Sequence, residues 1–235
     1  MLHVTATTRR AAAAVLVAVG VAVFGWLLES VAGDWGPADL DWPILKGLVA
    51  HRDAAGMALA QALHVASAPL ATLAAAGIIA AAWALVRREI KGPGLLLGAL
   101  LADLLLVTAA RYWVNRERPP LWFDAAGAPQ GPGFPSVHTA GALTLLFVAL
   151  YLACSRRAGR RGPVAFALVA AVLVAAVAAS DLYLGRHWLT DVIASGAIGM
   201  IVLGGVVWLD TLGHPGPDAD TLAPQVAAPK ASADT

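Results

Sequence analysis

The sequence predicts an all-α, polytopic membrane protein built as a bundle of six transmembrane helices. Of its 235 residues, 59% are hydrophobic and 13% are charged, whereas soluble domains are about half apolar and about a quarter charged. Six apolar runs are long enough, or nearly long enough, to cross a bilayer as helices. Glycine and alanine are abundant, which favours close packing between helices in lipid.

The six predicted spans begin with a run that follows a pair of arginines. This first run is uncharged over 18 residues, which exceeds a usual signal-peptide core and favours an uncleaved span over a signal peptide. The third and fourth runs have only 17 and 16 residues, and we expect each to extend into the polar segment beside it. The runs are Ala11–Leu28, Val65–Val86, Gly94–Ala110, Thr139–Cys154, Pro163–Ser180 and Val192–Leu209.

The distribution of basic residues predicts the orientation of the bundle. With the N-terminus inside, the alternation of six spans places ten lysines and arginines inside and six outside, as the positive-inside rule requires. The inner ones are Arg9, Arg10, Arg87, Arg88, Lys91, Arg156, Arg157, Arg160, Arg161 and Lys230, and the outer ones are Lys46, Arg52, Arg111, Arg116, Arg118 and Arg186. We therefore expect an inner (cell) membrane protein with cytoplasmic termini, whose polar segments face the periplasm or the exterior.

The segments between and after the spans differ in character. The connection 29–64 contains apolar residues at 42–49 that predict a short amphipathic helix on the outer surface. The connection 121–133 is rich in glycine and proline and is expected to be irregular. Residues 214–235 have no apolar periodicity, which predicts a disordered cytoplasmic tail. The membrane domain is then 1–213, with its polar motifs within 94–209.

Two further features of the composition exclude classes of function. The formal net charge is +1, which gives no bulk attraction to nucleic acid. Cys154 is the single cysteine, so neither an intramolecular disulfide nor a cysteine-based metal site is possible. One carboxyl group, Asp103, lies within the third apolar run, and we expect a neighbouring helix to satisfy it rather than catalysis to use it.

The segment Ser180–Asp191 carries a histidine and an aspartate four residues apart, His187 and Asp191. If the segment begins a helix, both side chains lie on one face of it. A carboxylate in that position can hold the imidazole Nδ1–H and leave the other ring nitrogen to attack an electrophile.

Cations come from Arg111–Pro119, where Arg111 and Arg118 are seven residues apart. If the helix continues through this segment, the two lie about two turns apart and can point into one pocket, and Pro119 would end the helix. Guanidinium groups match phosphate oxygens with two parallel hydrogen bonds. These features indicate a site for a phosphate group.

The segment Pro135–His138 stands just ahead of the fourth run and is typical of a helix start. Ser136 can offer its hydroxyl there, and the N–H groups of a first helical turn bind anions. His138 is a candidate acid for the leaving oxygen. Taken with the arginines and His187, the pattern predicts a membrane-embedded hydrolase of phosphate esters or pyrophosphates.

These segments resemble the type-2 phosphatidic acid phosphatases. The pattern of that family is Lys, six residues, Arg-Pro; then Pro-Ser-Gly-His; then Ser-Arg, five residues, His, three residues, Asp. The chain keeps the order and spacing and matches eight of the eleven positions. The matching residues are Arg118, Pro119, Pro135, Ser136, His138, Ser180, His187 and Asp191.

The resemblance implies a role for each matching side chain. His187 would be the nucleophile and form a phosphohistidine, Asp191 would orient it, and His138 would protonate the leaving group. The residues implied to bind phosphate are Arg111, Arg118 and Ser136. The resemblance also implies that the reaction needs no metal and no other cofactor.

Three positions depart from the family pattern. Arg111 replaces the lysine and keeps its charge, and Val137 replaces a glycine, which bears on any positive φ there. Asp181 replaces the third motif's arginine, where a carboxylate would repel phosphate. We expect Arg186 or Arg116 to supply the missing cation and Asp181 to hold it in place. The alternative is a weakened site, or one adapted to a different substrate.

The leading hypothesis is hydrolysis of a lipid phosphate or a polyprenyl pyrophosphate. Undecaprenyl pyrophosphate is the first choice, followed by phosphatidic acid and phosphatidylglycerol phosphate. One alternative is a lipid phosphotransferase that uses an acceptor other than water. Another is a non-catalytic protein that binds or transports lipid phosphates, which Asp181 would favour. The expected partners are the lipid substrate and the bilayer.

Overall fold

The computed structural model of the protein describes residues 5–125, 127, 131–155 and 162–212, with the backbone alone at 162 and 163. Every regular element within these ranges is a helix. The α-helices are α1 (Ala6–Gly33), α2 (Asp41–Ala50), α3 (Ala54–Ala66), α4 (Pro69–Arg87), α5 (Lys91–Val114), α6 (Val137–Ser155), α7 (Gly162–Tyr183) and α8 (Leu189–Leu212). The predicted tail, 214–235, lies outside the described residues.

Six of these helices are long and apolar enough to span a membrane, namely α1, α4, α5, α6, α7 and α8. The prediction of an all-α bundle with six spans is therefore confirmed. The two short runs do extend into the polar segments beside them, since α5 reaches Val114 and α6 begins at Val137. This extension brings the ends of both helices to the motifs.

Two short helices fill the connection between the first and second spans. The predicted amphipathic segment forms α2, but the sequence did not predict α3 as a separate helix. Arg52, in the turn between them, donates to the carbonyl oxygens of Tyr183 and Phe123, each at 2.7 Å. These bonds hold the α2–α3 turn against the end of α7.

The most buried helix of the bundle is α8, and α1 packs along it. Glycine makes the close approach possible, because a Cβ on Gly20 would lie 2.7 Å from the carbonyl oxygen of Ala197. A Cβ on Gly204 would lie 2.8 Å from that of Ala13. Small residues at helix contacts are what association in lipid requires, since lipid gives no hydrophobic driving force between helices.

The apolar core lies between α5, α6 and α8. Within it, Thr144 of α6 donates a hydrogen bond of 2.9 Å to Asp103 of α5, and both side chains are buried. A neighbouring helix therefore satisfies the intramembrane carboxyl group, as the sequence suggested. Asp103 acts here as a link between two spans.

Helix α5 ends earlier than the sequence predicted. Its last residue is Val114, and Asn115 takes a left-handed conformation with φ of 48° while its N–H bonds to the carbonyl oxygen of Arg111. The expectation that Arg111 and Arg118 share a helix ended by Pro119 is wrong. Asparagine tolerates the left-handed region better than most residues, so it can end a helix where no glycine is present.

Candidate active site

The three polar segments meet at one end of the bundle. They follow the C-terminus of α5, precede α6 and connect α7 to α8, so the up-and-down topology gathers them. Arg111 donates to the carbonyl oxygen of Pro135 at 2.9 Å, and Ser136 donates to the Oδ2 of Asp181 at 2.5 Å. The structure therefore brings residues from all three segments into one cluster.

His187 and Asp191 are in contact, but not because they share a helix. Helix α8 begins at Leu189, so His187 precedes it and only Asp191 lies in its first turn. The Asp191 Oδ2 accepts the backbone N–H of Trp188 at 3.0 Å and the Nδ1–H of His187 at 3.3 Å. A carboxylate can only accept, so the proton of His187 is on Nδ1. The conditional prediction of one helical face is wrong for His187, and a helix-capping geometry replaces it.

The other ring nitrogen of His187 meets a cation. The Nη1 of Arg118 lies 3.2 Å from the Nε2 of His187, and guanidinium can only donate, so Nε2 offers its lone pair. His187 is 1% exposed and Asp191 is fully buried. The two contacts fix both the tautomer and the direction of the imidazole.

Arg118 is held outside any helix by backbone carbonyl groups. It donates to the oxygens of Gly131 at 3.1 Å, Pro132 at 3.4 Å and Arg186 at 2.9 Å. Burial lowers the pKa of Arg118 from its ordinary value, and the negative charge of Asp191 opposes that shift. A Cβ on Gly133 would lie 3.0 Å from the Cγ of Arg118, which is a tight contact, so glycine favours the close approach.

Arg111 approaches the cluster from the last turn of α5. Its Nε donates to the carbonyl oxygen of Pro135 at 2.9 Å. Its Nη2 is buried and has no hydrogen-bond partner among the described residues. A buried guanidinium nitrogen in that state points to an acceptor that the described part of the chain does not supply.

Ser136 is the residue before α6, as predicted, and its hydroxyl has two partners. Its Oγ accepts the N–H of Thr139 at 3.3 Å and donates to the Oδ2 of Asp181 at 2.5 Å. Val137 begins the helix and is not among the residues with positive φ. The valine therefore meets no backbone strain, and the concern raised by the missing glycine does not apply.

His138 lies in the first turn of α6 and stacks on a second histidine, His64. The ring centroids are 3.9 Å apart and the rings are inclined by 34°. The Nδ1 of His138 is buried without a hydrogen-bond partner among the described residues. Charges that act on His138 include those of Asp181 and Arg111.

His64, near the end of α3, is a site residue that the sequence analysis missed. It lies at the border of an apolar run and outside every motif, so only its residue type marked it as a candidate. Its Nδ1 lies 3.4 Å from the Oδ1 of Asp181, and its Nε2 is 2.5 Å from the Nη1 of Arg186. Donor atoms of His64, His138 and Asp181 lie within 4.8 Å of one another. The sequence, which predicted no metal site, did not anticipate this cluster of metal-ligating residue types.

Neither expected cation pairs directly with Asp181. Arg116 instead donates to Asp191 at 2.6 Å and to Asp41 at 2.7 Å. Arg186 is joined to Asp181 through His64, and it also donates to the Oδ1 of Asp124 at 3.4 Å and to the carbonyl oxygen of Gly127 at 2.7 Å. Arg186 is thus linked to Asp181 through His64, whereas Arg116 pairs with other carboxylates, and the expectation that Arg186 supplies the missing cation stays a prediction.

These features define a multi-pass membrane protein whose bundle end holds an oriented, buried histidine among arginines. A family model for the PAP2 superfamily matches residues 92–212, more than half of the chain. The chain therefore belongs to the PAP2 superfamily, a family of phosphatases. The resemblance seen in the three motifs is confirmed.

A solved structure shares the fold. It is the crystal structure described as the first transmembrane PAP2-type phosphatidylglycerolphosphate phosphatase, from Bacillus subtilis. The TM-score is 0.66 at 24% sequence identity, with 83% of this chain and 94% of that chain covered. Comparison with curated protein sequences finds no match.

Proposed function

We propose that the protein is a lipid phosphatase in which His187 is the nucleophile. The observation that carries this proposal is the pair of contacts on one ring, with Asp191 on Nδ1 and Arg118 3.2 Å from Nε2. A histidine with a fixed Nδ1 proton presents its Nε2 lone pair to an electrophile. The neighbouring guanidinium groups suit the charge of a phosphoryl group.

In the first half-reaction, Nε2 of His187 attacks phosphorus while the bond from phosphorus to the lipid oxygen breaks. The leaving oxygen keeps the electron pair of the broken bond and accepts a proton from His138. Arg118, which gives up its hydrogen bond to Nε2 as the phosphoryl group enters, binds the phosphoryl oxygens together with the Nη2 of Arg111, which has no partner among the described residues. Asp191 stabilises the positive charge that the ring acquires when the phosphorus–nitrogen bond forms.

In the second half-reaction, water attacks the phosphohistidine and the phosphorus–nitrogen bond breaks. His138, which gave up its proton in the first step, takes one from the attacking water. Inorganic phosphate is released and His187 regains its lone pair. No step uses a metal ion, so we propose that hydrolysis is metal-independent.

A lipid substrate agrees with the place of the site at the end of a membrane bundle. Undecaprenyl pyrophosphate is our first choice, with phosphatidic acid and phosphatidylglycerol phosphate next. The Bacillus subtilis protein of similar fold is described as a phosphatidylglycerolphosphate phosphatase, which supports including that lipid. For a pyrophosphate, the leaving group of the first step is the lipid monophosphate.

The decisive experiment measures phosphate release by the purified protein from a panel of these lipids, with and without EDTA. We expect wild-type release to persist in EDTA and His187→Ala to abolish it, while His51→Ala, an exposed histidine away from the site, keeps wild-type activity. Labelled lipid should leave an acid-labile, base-stable phosphohistidine. Transfer to an added alcohol instead of water would indicate a phosphotransferase, and binding without release would indicate a carrier.

We also propose that the site faces the periplasm or the exterior of an inner membrane protein, with the termini in the cytoplasm. The count of basic residues supports this orientation. The test uses a Cys154→Ser background and an impermeant maleimide on intact cells. Trp122→Cys, exposed beside the site, should be labelled directly, whereas Arg88→Cys, exposed in the α4–α5 connection, should be labelled only after permeabilisation.

A further inference from the structure

The substitution of aspartate for the third motif's arginine leaves a question about charge at the site. The change exchanges a positive for a negative side chain in a place that would face phosphate. Asp181 is fully buried, and its acceptors are all engaged by neighbours. Ser136 and Thr139 donate to its Oδ2 at 2.5 and 3.1 Å, and His64 lies 3.4 Å from its Oδ1.

The proton positions on His64 follow from its two partners. Arg186 can only donate, so the Nε2 of His64 accepts from its Nη1. The remaining ring proton is then on Nδ1, where the carboxylate of Asp181 can accept it. His64 is therefore a neutral link between a buried anion and a cation, in the order Asp181, His64, Arg186.

We propose that His64 is a positioning residue that, together with Asp181, replaces the motif arginine by holding Arg186 as a phosphate-binding cation. The inference rests on the proposed phosphatase function. In the family pattern, one arginine would extend from the position of Asp181. Here, the carboxylate and the imidazole together span the distance, and the guanidinium comes from the residue next to the nucleophile.

Three observations support a positioning role over simple packing. Both ring nitrogens of His64 have polar partners that lie more than 100 residues further along the chain. Its ring also stacks on His138, the proposed acid. In addition, the carbonyl oxygen of Arg186 accepts from Arg118, which contacts the nucleophile. A shift of Arg186 would therefore disturb the proposed acid through His64 and the nucleophile through Arg118.

His64 also lies outside the region that matches the family model. That region is 92–212, whereas His64 is on α3. The α3 helix packs against α7, so the extra helix delivers a side chain to the place where the motif departs. Asp181, at which the motif departs from the family pattern, and His64, which we propose to compensate for it, thus lie on adjoining helices.

The test compares two substitutions of His64, glutamine and asparagine, each of which can replace only one of the two ring nitrogens. The amide of a glutamine reaches the position of Nε2 and can accept from Arg186, whereas that of asparagine reaches only the position of Nδ1. We expect His64→Asn and His64→Ala to lower kcat/KM by about 10²-fold, since misplacement of a binding group has that order of effect. The kcat/KM of His64→Gln should be at least tenfold higher than that of His64→Asn. His51→Ala is the matched histidine control.

Inhibition by orthovanadate, a phosphate mimic, gives a readout that does not depend on turnover. We expect the inhibition constant to rise in His64→Asn and Arg186→Ala by the same factor and to change little further in the double variant. Unchanged vanadate inhibition with folded protein, shown by its melting temperature, would overturn the proposal. Additive effects of the two substitutions would overturn it as well.

A second pair of variants restores the family pattern. Asp181→Arg alone places a cation against Arg186 and His64 and should be nearly inactive. Asp181→Arg with His64→Ala clears the ring and should be more active than either single variant. A double variant no more active than Asp181→Arg would contradict the proposal that His64 and Asp181 replace the motif arginine.

One tightly bound divalent metal per chain, lost in His64→Ala, would also contradict this proposal, because metal binding requires a ring lone pair that these hydrogen bonds use. An inactive wild type would instead refute the phosphatase function.

Discussion

Arg118 donates a hydrogen bond to the Nε2 of His187 at 3.2 Å, so a guanidinium covers the nitrogen that we propose to attack phosphorus. This contact occupies the Nε2 lone pair, so Arg118 must transfer its hydrogen bond to a phosphoryl oxygen before Nε2 can attack phosphorus. Arg118 has three carbonyl partners of its own, which limits how far it can move. The nucleophile and its principal cation are therefore positioned together.

The first prediction concerns the carboxylate behind the nucleophile. Asp191→Asn should lower kcat by about 10³–10⁴-fold, because an amide neither stabilises the charged ring nor fixes its tautomer. Asp53→Asn, at the exposed N-cap of α3, is the control and should keep wild-type activity. The measurement is steady-state phosphate release. A loss smaller than tenfold would mean that Asp191 does not orient His187.

A second prediction distinguishes the two arginines of the segment Arg111–Pro119. Arg118→Lys should cost about 10²-fold or more in kcat, since lysine cannot reproduce the fork that bonds to three carbonyl groups and His187. Arg111→Lys restores the residue of the family pattern and should cost less than about tenfold. Equal losses in kcat for the two variants would contradict this assignment.

A third prediction concerns the glycine against which Arg118 packs. A Cβ at Gly133 would lie 3.0 Å from the Cγ of Arg118 and 3.3 Å from the Oδ2 of Asp191. Gly133→Ala should therefore displace both groups, lower activity and destabilise the protein by about 1–3 kcal/mol. Gly98→Ala is a matched control, because a Cβ there meets nothing within 4 Å. The measurements are the melting temperature and the phosphate release of both variants. Wild-type values for Gly133→Ala would contradict the prediction.

The fourth prediction addresses the carboxyl group within the bundle. Asp103→Asn keeps an acceptor for Thr144, so both activity and melting temperature should remain within about twofold and a few degrees of wild type. Asp103→Leu removes the acceptor and leaves the Thr144 hydroxyl without it, which should lower the melting temperature. Loss of turnover in Asp103→Asn at unchanged stability would instead indicate a part in the reaction.

A fifth prediction tests the proposed extent of the membrane domain. We propose that 1–213 carries the activity and that 214–235 has no catalytic part. A chain ending at Gly213 should therefore retain wild-type kcat and KM. A large change in either kinetic constant would show that the tail contributes to the site.

Residue order alone was enough to predict the class of fold and the family. Apolar runs of membrane-spanning length require helices, because lipid cannot satisfy exposed backbone groups. The three motifs can also be read directly along the chain, and they already contained His187, Asp191, His138, Arg111, Arg118 and Ser136. Alternation of the spans predicted that these residues share one end of the bundle.

How those residues contact one another depends instead on packing between distant segments. Hydrogen bonds that join such segments determine that Arg116 pairs with Asp41 and Asp191 rather than facing Asp181. His64 stands outside every motif and enters the site only because α3 packs against α7. Packing between helices determines the partners of His64, and the spacing of residues along one segment cannot predict that packing.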